Sequence, residues 1–207
     1  MRHHLARLLV CAALAACTRA PHAATASEWT PLFDGRTLDG WRASENPGTF
    51  TVANGEIVVH GPRAHLFYDG PVMAHALTDF ELKLDVLTKP GANSGIYVRT
   101  AYQPTDWPAQ GYEVQVNNSF GGDWRRTGGL YGVQDMRASL PDDQWFTVRA
   151  IVHGRRVQVF LDDRQTVDYT EPADKPTRLT GGTIALQGHD PDSEVHYRNI
   201  VIRPLVR

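Results

Sequence analysis

NSGIYVRT (93–100), GYEVQVNN (111–118) and TGGLYGV (127–133) fall within one stretch of the chain, and their reading decides the fold. In 95–100 and 112–117, apolar residues alternate with Tyr97, Arg99, Glu113, Gln115 and Asn117. A two-residue period is that of a half-buried β-strand, whose successive side chains point to opposite faces. One face of each strand therefore belongs to a core. The other carries a phenol, a guanidinium, a carboxylate and carboxamides, a more particular set than solubility requires. That face is the expected working surface.

The flanking sequence supplies a scaffold of the same kind. WTPLFDGRTLDGWR (29–42) places aromatic anchors around Gly-containing turns, as suits a segment folded against a sheet edge. FTVANGEIVVH (50–60) predicts a hairpin about Asn54-Gly55, because two-residue hairpin turns need positive φ at both positions. TDFELKLDV (78–86) turns Phe80, Leu82, Leu84 and Val86 inward and Glu81, Lys83 and Asp85 outward. A second hairpin is expected from FTVRAIV and VQVFLD around His153-Gly154-Arg155, and GGTIALQGH (181–189) with EVHYRNIVIR (194–203) forms the last strand pair. No apolar stripe at helical spacing persists. The pattern predicts an all-β fold, a jelly-roll β-sandwich of two antiparallel sheets, over one domain spanning 28–207. Strands 79–86, 95–100 and 112–117 follow one another and are expected to be antiparallel neighbours sharing one groove.

At the N-terminus, Arg2 and Arg7 precede an apolar run from Leu8 to Ala16 that is too short to span a bilayer and fits a secretory signal. Leu14-Ala15-Ala16-Cys17 is similar to a bacterial lipobox, which makes 1–16 a lipoprotein signal peptide, Cys17 the lipidated residue and 17–27 a tether. Cleavage after Ala26 is the alternative. Thr18, where inner-membrane retention favours Asp, points to a periplasmic protein anchored in the outer membrane. Removing 1–16, which holds two arginines and no acid, leaves 191 residues and takes the net charge from −2 to −4. That is enough chain for one real core and lacks the basic footprint nucleic acid requires. Membrane contact is expected only through the lipid anchor.

Taken in order, LFDGRTLDGW (32–41), TDFELKLDV (78–86), NSGIYVR (93–99), GYEVQV (111–116), TGGLYG (127–132) and ALQGHDPDSEVHYRNIVI (185–202) resemble the 3-keto-disaccharide hydrolase family over 28–207. The resemblance implies a concanavalin A-like jelly roll. It also implies action on glycosides oxidised to a ketone at sugar carbon 3, as a 3-keto-glucoside 1,2-lyase, a 3-keto-2-hydroxy-glucal hydratase, or both. It admits one divalent metal ion as cofactor, with Glu113 and His189 as partial ligands. This chain carries Asn118 where many relatives carry Asp.

The residues can be weighed on their own chemistry. Ordinary glycosidases use two carboxylates roughly 5–5.5 Å or 6.5–9.5 Å apart. Here the outward positions of 112–117 hold a single acid, with Asp85 the nearest second candidate by strand order. A 3-keto sugar asks for less, since its ketone acidifies the hydrogen on carbon 2 and one general base can start an elimination. Glu113 is the candidate base, or else a strand acid paired with Arg99. Arg99 is the candidate partner for the ketone oxygen. His189, beside Asp190, is a candidate acid or base. Tyr97, Gln115 and Gln187 are candidate hydroxyl binders. In FGGDWRRTGGLY (120–131), Trp124 and Tyr131 offer aromatic faces for a sugar, although Trp124 could equally plug the end of the sandwich. Tyr102 to Trp107 is a second wall with no assigned role, and His60, His65, His75, His153 and His196 are read as structural or surface residues. The alternative to an enzyme is a lectin-like module binding sugar in the same groove.

Overall fold

The computed structural model describes residues 28–205; the expected signal peptide, the tether and Cys17 lie outside the described residues. The chain runs through β1 (Thr30–Pro31), β2 (Trp41–Ala43), β3 (Phe50–Ala53), β4 (Glu56–His60), β5 (Ala64–Tyr68), β6 (Phe80–Thr88), β7 (Ser94–Thr100) and β8 (Tyr112–Val116). It continues with β9 (Arg126–Leu130), β10 (Gln134–Met136), β11 (Phe146–His153), β12 (Arg156–Leu161), β13 (Arg164–Thr170), β14 (Thr183–Gly188) and β15 (Glu194–Pro204). One sheet has the order β13-β12-β11-β6-β15-β4-β3, with β1 also paired to β15; the other has the order β10-β9-β8-β7-β14-β5-β2. The two antiparallel sheets face each other as a jelly roll.

Alternation builds the core as the sequence predicts. Phe80, Leu82, Leu84 and Val86 of β6 and Val148, Ala150 and Val152 of β11 meet Ile96, Val98, Val114, Val116, Ile184 and Leu186 of the opposing sheet, all with no exposed surface. Each such Val, Leu, Ile or Phe side chain contributes about 1.5–3 kcal/mol through burial. Asn54 and Gly55 close the β3-β4 hairpin at φ 54° and 82°, the left-handed pair that a two-residue turn demands.

The expected strand order, and with it the placing of Asp85, is corrected. Strand 79–86 is not a neighbour of 95–100: β6 pairs with β11 and β15, and the chain crosses to the other sheet through 89–93 before β7 begins. Sequence adjacency fails here because a jelly roll passes consecutive strands between its sheets. Asp85 consequently points away from the groove, accepting hydrogen bonds from Thr147 Oγ1 at 2.9 Å and Asn199 Nδ2 at 2.7 Å. Also, AHLFY of β5 is a strand with every residue buried, so it shows no polar alternation to read.

Candidate active site

The working face is laid out by register. Arg42 of β2 lies opposite Phe67 of β5, Phe67 opposite Ala185 of β14, Ala185 opposite Tyr97 of β7, and Tyr97 opposite Glu113 of β8. Cross-strand partners share a face, so these five form one row across the outer side of the sheet. In the next row His65 is opposite Gln187, and Gly95 is opposite Gln115.

Glu113 sits at the end of the first row without a cation. Its Oε2 accepts the Tyr97 hydroxyl at 2.9 Å, and its Oε1 accepts Gln187 Nε2 at 3.1 Å. Burial pushes its carboxyl up to about 7, against the two hydrogen bonds, which favour the charged form; the negative charge of Asp123 adds to the rise. The side chain lies across Gly95, where a Cβ would stand 2.4 Å from Glu113 Oε1 and 2.7 Å from its Cγ. Only glycine leaves room there. Burial and the neighbouring carboxylate raise the Tyr97 phenol, which stays a donor.

These groups line a cavity of about 300 Å³. Gln115 and Gln187 are 1% and 2% exposed, and each has an unpartnered Oε1, although Gln115 Nε2 donates to Asn93 Oδ1 at 3.1 Å. Buried polar atoms are normally satisfied, so unpaired ones beside a cavity fit a ligand that supplies hydroxyls. His189 also lines the cavity. Its Nδ1 lies 2.6 Å from Asp190 Oδ2, which Ser193 Oγ also bonds, leaving Nε2 as the nitrogen available to a ligand.

Loops supply the walls. Asn117, expected on the groove face, holds the 120–126 loop instead: its amide donates to the carbonyls of Asp123 and Arg125 and accepts from the Phe120 N–H. This places Asp123 on the cavity. Tyr131 lines it too, with its N–H on the Glu113 carbonyl at 3.0 Å. Trp124 does not line it; the ring lies between Arg125 and Arg137, at 4.9 and 4.1 Å. Asn118 is structural, its amide donating to the Pro141 carbonyl and its Oδ1 accepting from Thr127.

Arg99 stands apart from Glu113. It takes φ 54° at a β-bulge, where the β14-β7 register jumps between Thr183↔Thr100 and Ile184↔Val98. The extra residue breaks the alternation that put Arg99 on the groove face. Its guanidinium is spent on the carbonyls of Gly181, Thr78 and Leu179. Arg178 lines the cavity instead, with its guanidinium packed over the Tyr112 ring at 4.4 Å and in no ion pair among the described residues. Nothing in the sequence pattern marked Arg178 or Asp123, because both arrive on loops, whereas Trp107, at the end of the 102–107 tract expected as a second wall, does line the cavity. His65, read as structural or surface, is fully buried beside the site, edge-on to Tyr97 and Trp107. Burial lowers its pKa to about 4, so it is neutral at physiological pH.

The donor set does not fit a divalent cation. Among the described residues no three His, Cys, Asp or Glu side chains converge, and both Glu113 oxygens already accept hydrogen bonds; His189, its Nδ1 fixed by Asp190, would offer a cation Nε2 alone.

The family model described as the 3-keto-alpha-glucoside-1,2-lyase-like domain matches residues 28–203. The chain belongs to that family. A 3-keto-disaccharide hydrolase of Bacteroides thetaiotaomicron is 32% identical over 79 residues, covering 35% of this chain and 27% of that protein. The match thus spans about a quarter of the relative's length. A crystal structure of a candidate glycosyl hydrolase from Parabacteroides distasonis superposes with a TM-score of 0.70 at 20% identity, covering 86% of this chain and 94% of that one. A galectin-like protein of Bacillus subtilis superposes at 0.63 with 14% identity, covering 88% and 98%, which shows the fold alone. The family's description and its relatives' names point to glycoside-acting, hydrolase-like enzymes.

Proposed function

We propose that the protein cleaves 3-keto-glycosides by elimination across carbons 1 and 2 of the oxidised sugar, with hydration of the product completing a net hydrolysis. The observation that carries this reading is Glu113: a largely desolvated, part-buried carboxylate with no cationic partner among the described residues, fixed by two neutral donors and pushed up to about 7 by burial. Such a group is a general base poised at physiological pH. Family membership and the hydrolase named among its relatives support the substrate class.

The steps balance without an added oxidant. Glu113 takes the proton from carbon 2, and the carbon–hydrogen electrons delocalise onto the ketone as an enolate. The enolate electrons then form the double bond between carbons 1 and 2 as the bond from carbon 1 to the leaving oxygen breaks. The leaving alkoxide takes a proton from His189, which Asp190 orients, or from the protonated Glu113. Arg178, in no ion pair among the described residues, is the cavity guanidinium that stabilises the enolate oxygen. Gln115 and Gln187 hold sugar hydroxyls, and Tyr131 offers a ring face. Water adding across the new double bond gives the free 3-keto sugar. Lipidation of Cys17 would place this reaction in the periplasm, tethered to the outer membrane.

The test is direct. Purified protein is incubated with a 3-keto-glucoside and with the same glucoside unoxidised. Release of the leaving group from the keto substrate alone is the expected result. Turnover of the unoxidised sugar would make this a conventional glycosidase, with Asp123 as second carboxylate; binding without turnover of either would make it a lectin-like module.

A further inference from the structure

The same outer face holds a second cavity, of about 210 Å³, which the chemistry above does not use. Phe67 and Tyr102 line it, and Phe67 packs on Tyr97 and Ala185, so one aromatic ridge separates the two hollows. Tyr102 and Trp107 belong to the single loop between β7 and β8 that crosses this ridge: Tyr102 meets Phe67 edge-on at 5.3 Å, and Trp107 meets His65 at 5.6 Å. Tyr102 is still 37% exposed although Arg42 covers one ring face at 3.6 Å. A large ring held in place with free surface over a hollow is a stacking platform.

The polar groups of the hollow point to a neutral, hydroxyl-rich occupant. Thr100 lines it, is fully buried, and has an Oγ1 with no hydrogen-bond partner. Asp69 and Thr183 add oxygens, and no Lys or Arg side chain lines the cavity to draw an anion. On its rim His75 ends a run, Met73-Ala74-His75, with φ of 54°, 54° and 61°. Consecutive non-glycine residues in the left-handed region are strained, and strain of this kind gathers at ligand sites.

Distance fixes which part of the ligand belongs here. From Phe67 on β5 to Glu113 on β8 is three strand spacings, ~14 Å at the usual separation. That is further than the sugar next to the scissile bond can reach, and within reach of the one after it. We propose that the cavity between Phe67 and Tyr102 is a binding subsite for the distal, second sugar of an oligosaccharide leaving group. The protein then acts on chains longer than a disaccharide. The assignment rests on the elimination reading only for its direction along the chain.

The experiment compares wild type, Tyr102→Ala and Thr100→Val on 3-keto-glucosides carrying a methyl or a cellobiosyl leaving group. For Tyr102→Ala, kcat/KM should fall by about tenfold on the cellobiosyl substrate, mostly through KM, and stay within about twofold on the methyl one. Thr100→Val should show the same selectivity with a Tm no lower than wild type, because the lost hydroxyl bonds nothing in the free protein. Equal losses on both substrates, or none on either, would overturn the subsite. Calorimetric titration with cellotriose and maltotriose separates this claim from the reaction itself. If wild type turns over no 3-keto-glucoside, the elimination reading fails, yet triose binding weakened by both substitutions still upholds the subsite. Absence of triose binding, or binding indifferent to both substitutions, overturns it.

Discussion

Glu81 and Glu113 are both outward-facing glutamates in the middle of long-range strand pairings, one on each sheet of the sandwich. Glu81 is 5% exposed and is held by two guanidinium groups, those of Arg149 at 3.1 Å and Arg203. Glu113 is held by a phenol and a carboxamide, with no guanidinium or ammonium on it. The outer face of the eight-stranded sheet pairs its charges in this way throughout its centre: Asp85 lies 3.7 Å from Arg198, and His196 bridges Glu56 and Glu194. The outer face of the seven-stranded sheet leaves Gln115 Oε1, Gln187 Oε1 and both His65 nitrogens unpaired. The first face spends its polar groups largely on itself: Arg149 Nε and Arg198 Nε there make no hydrogen bond, but each lies within 3.8 Å of a carboxylate. The other keeps them for something else, and that difference marks the chemistry more clearly than residue type.

The comparison breaks most visibly if the two glutamates are exchanged for glutamine. Glu113→Gln should lower kcat on a 3-keto-glucoside by about 10³-fold or more, while Glu81→Gln leaves it unchanged. Stability should move in the opposite sense. Folded Glu113 keeps its proton up to about pH 7, whereas an ordinary Glu releases it near 4.5. The folded chain therefore binds more protons in that window, and Glu113 costs stability as pH rises through it. At pH 8, Glu113→Gln should raise stability by about 2 kcal/mol in urea titrations, and Glu81→Gln should lower it by about 2 kcal/mol.

The two arginines sharpen the same contrast. Arg178→Met should reduce kcat/KM by about 10²-fold with little change in Tm, as expected for a charge aimed at a developing oxyanion. Arg99→Met should cost roughly 2 kcal/mol of stability, because three carbonyls lose their donor, and spare the kinetics of whatever folds. Gly95→Ala, which forces the Glu113 carboxylate off its place, should lower kcat by about tenfold or more with far-UV circular dichroism unchanged. The smallest effect is the most diagnostic of environment. Tyr97→Phe removes a hydrogen bond to the charged carboxylate, so the pKa read from the kcat/KM profile should rise from about 7 by about one unit, with a modest loss at the alkaline plateau.

How far the sequence carried the fold can be seen strand by strand. β6 and β11 were legible because each has one wet face and one dry one, which writes a period of two into the chain. β5 was not, since the loop carrying Tyr102 and Trp107 covers its outer side and leaves all five residues buried. Glu113, Gln115, Gln187 and Tyr97 could be picked out by alternation and do meet in one cavity. Arg99 followed the same alternation, but a bulge is a one-residue shift with no compositional mark, and it sent the side chain elsewhere. The 102–107 tract was legible as a wall, and its Trp107 lines the cavity, but Arg178 and Asp123 come from loops whose return to the sheet depends on tertiary contacts, such as Asn117 gripping 120–126. No local pattern encodes them.

The central claim is that Glu113 removes the hydrogen on carbon 2. The most direct measurement is the isotope effect on kcat/KM for a 3-keto-glucoside deuterated at carbon 2, in wild type and in Tyr97→Phe. A normal primary effect, no smaller in the variant, is predicted. A ratio of one in both proteins, with turnover surviving in Glu113→Gln, would contradict the account.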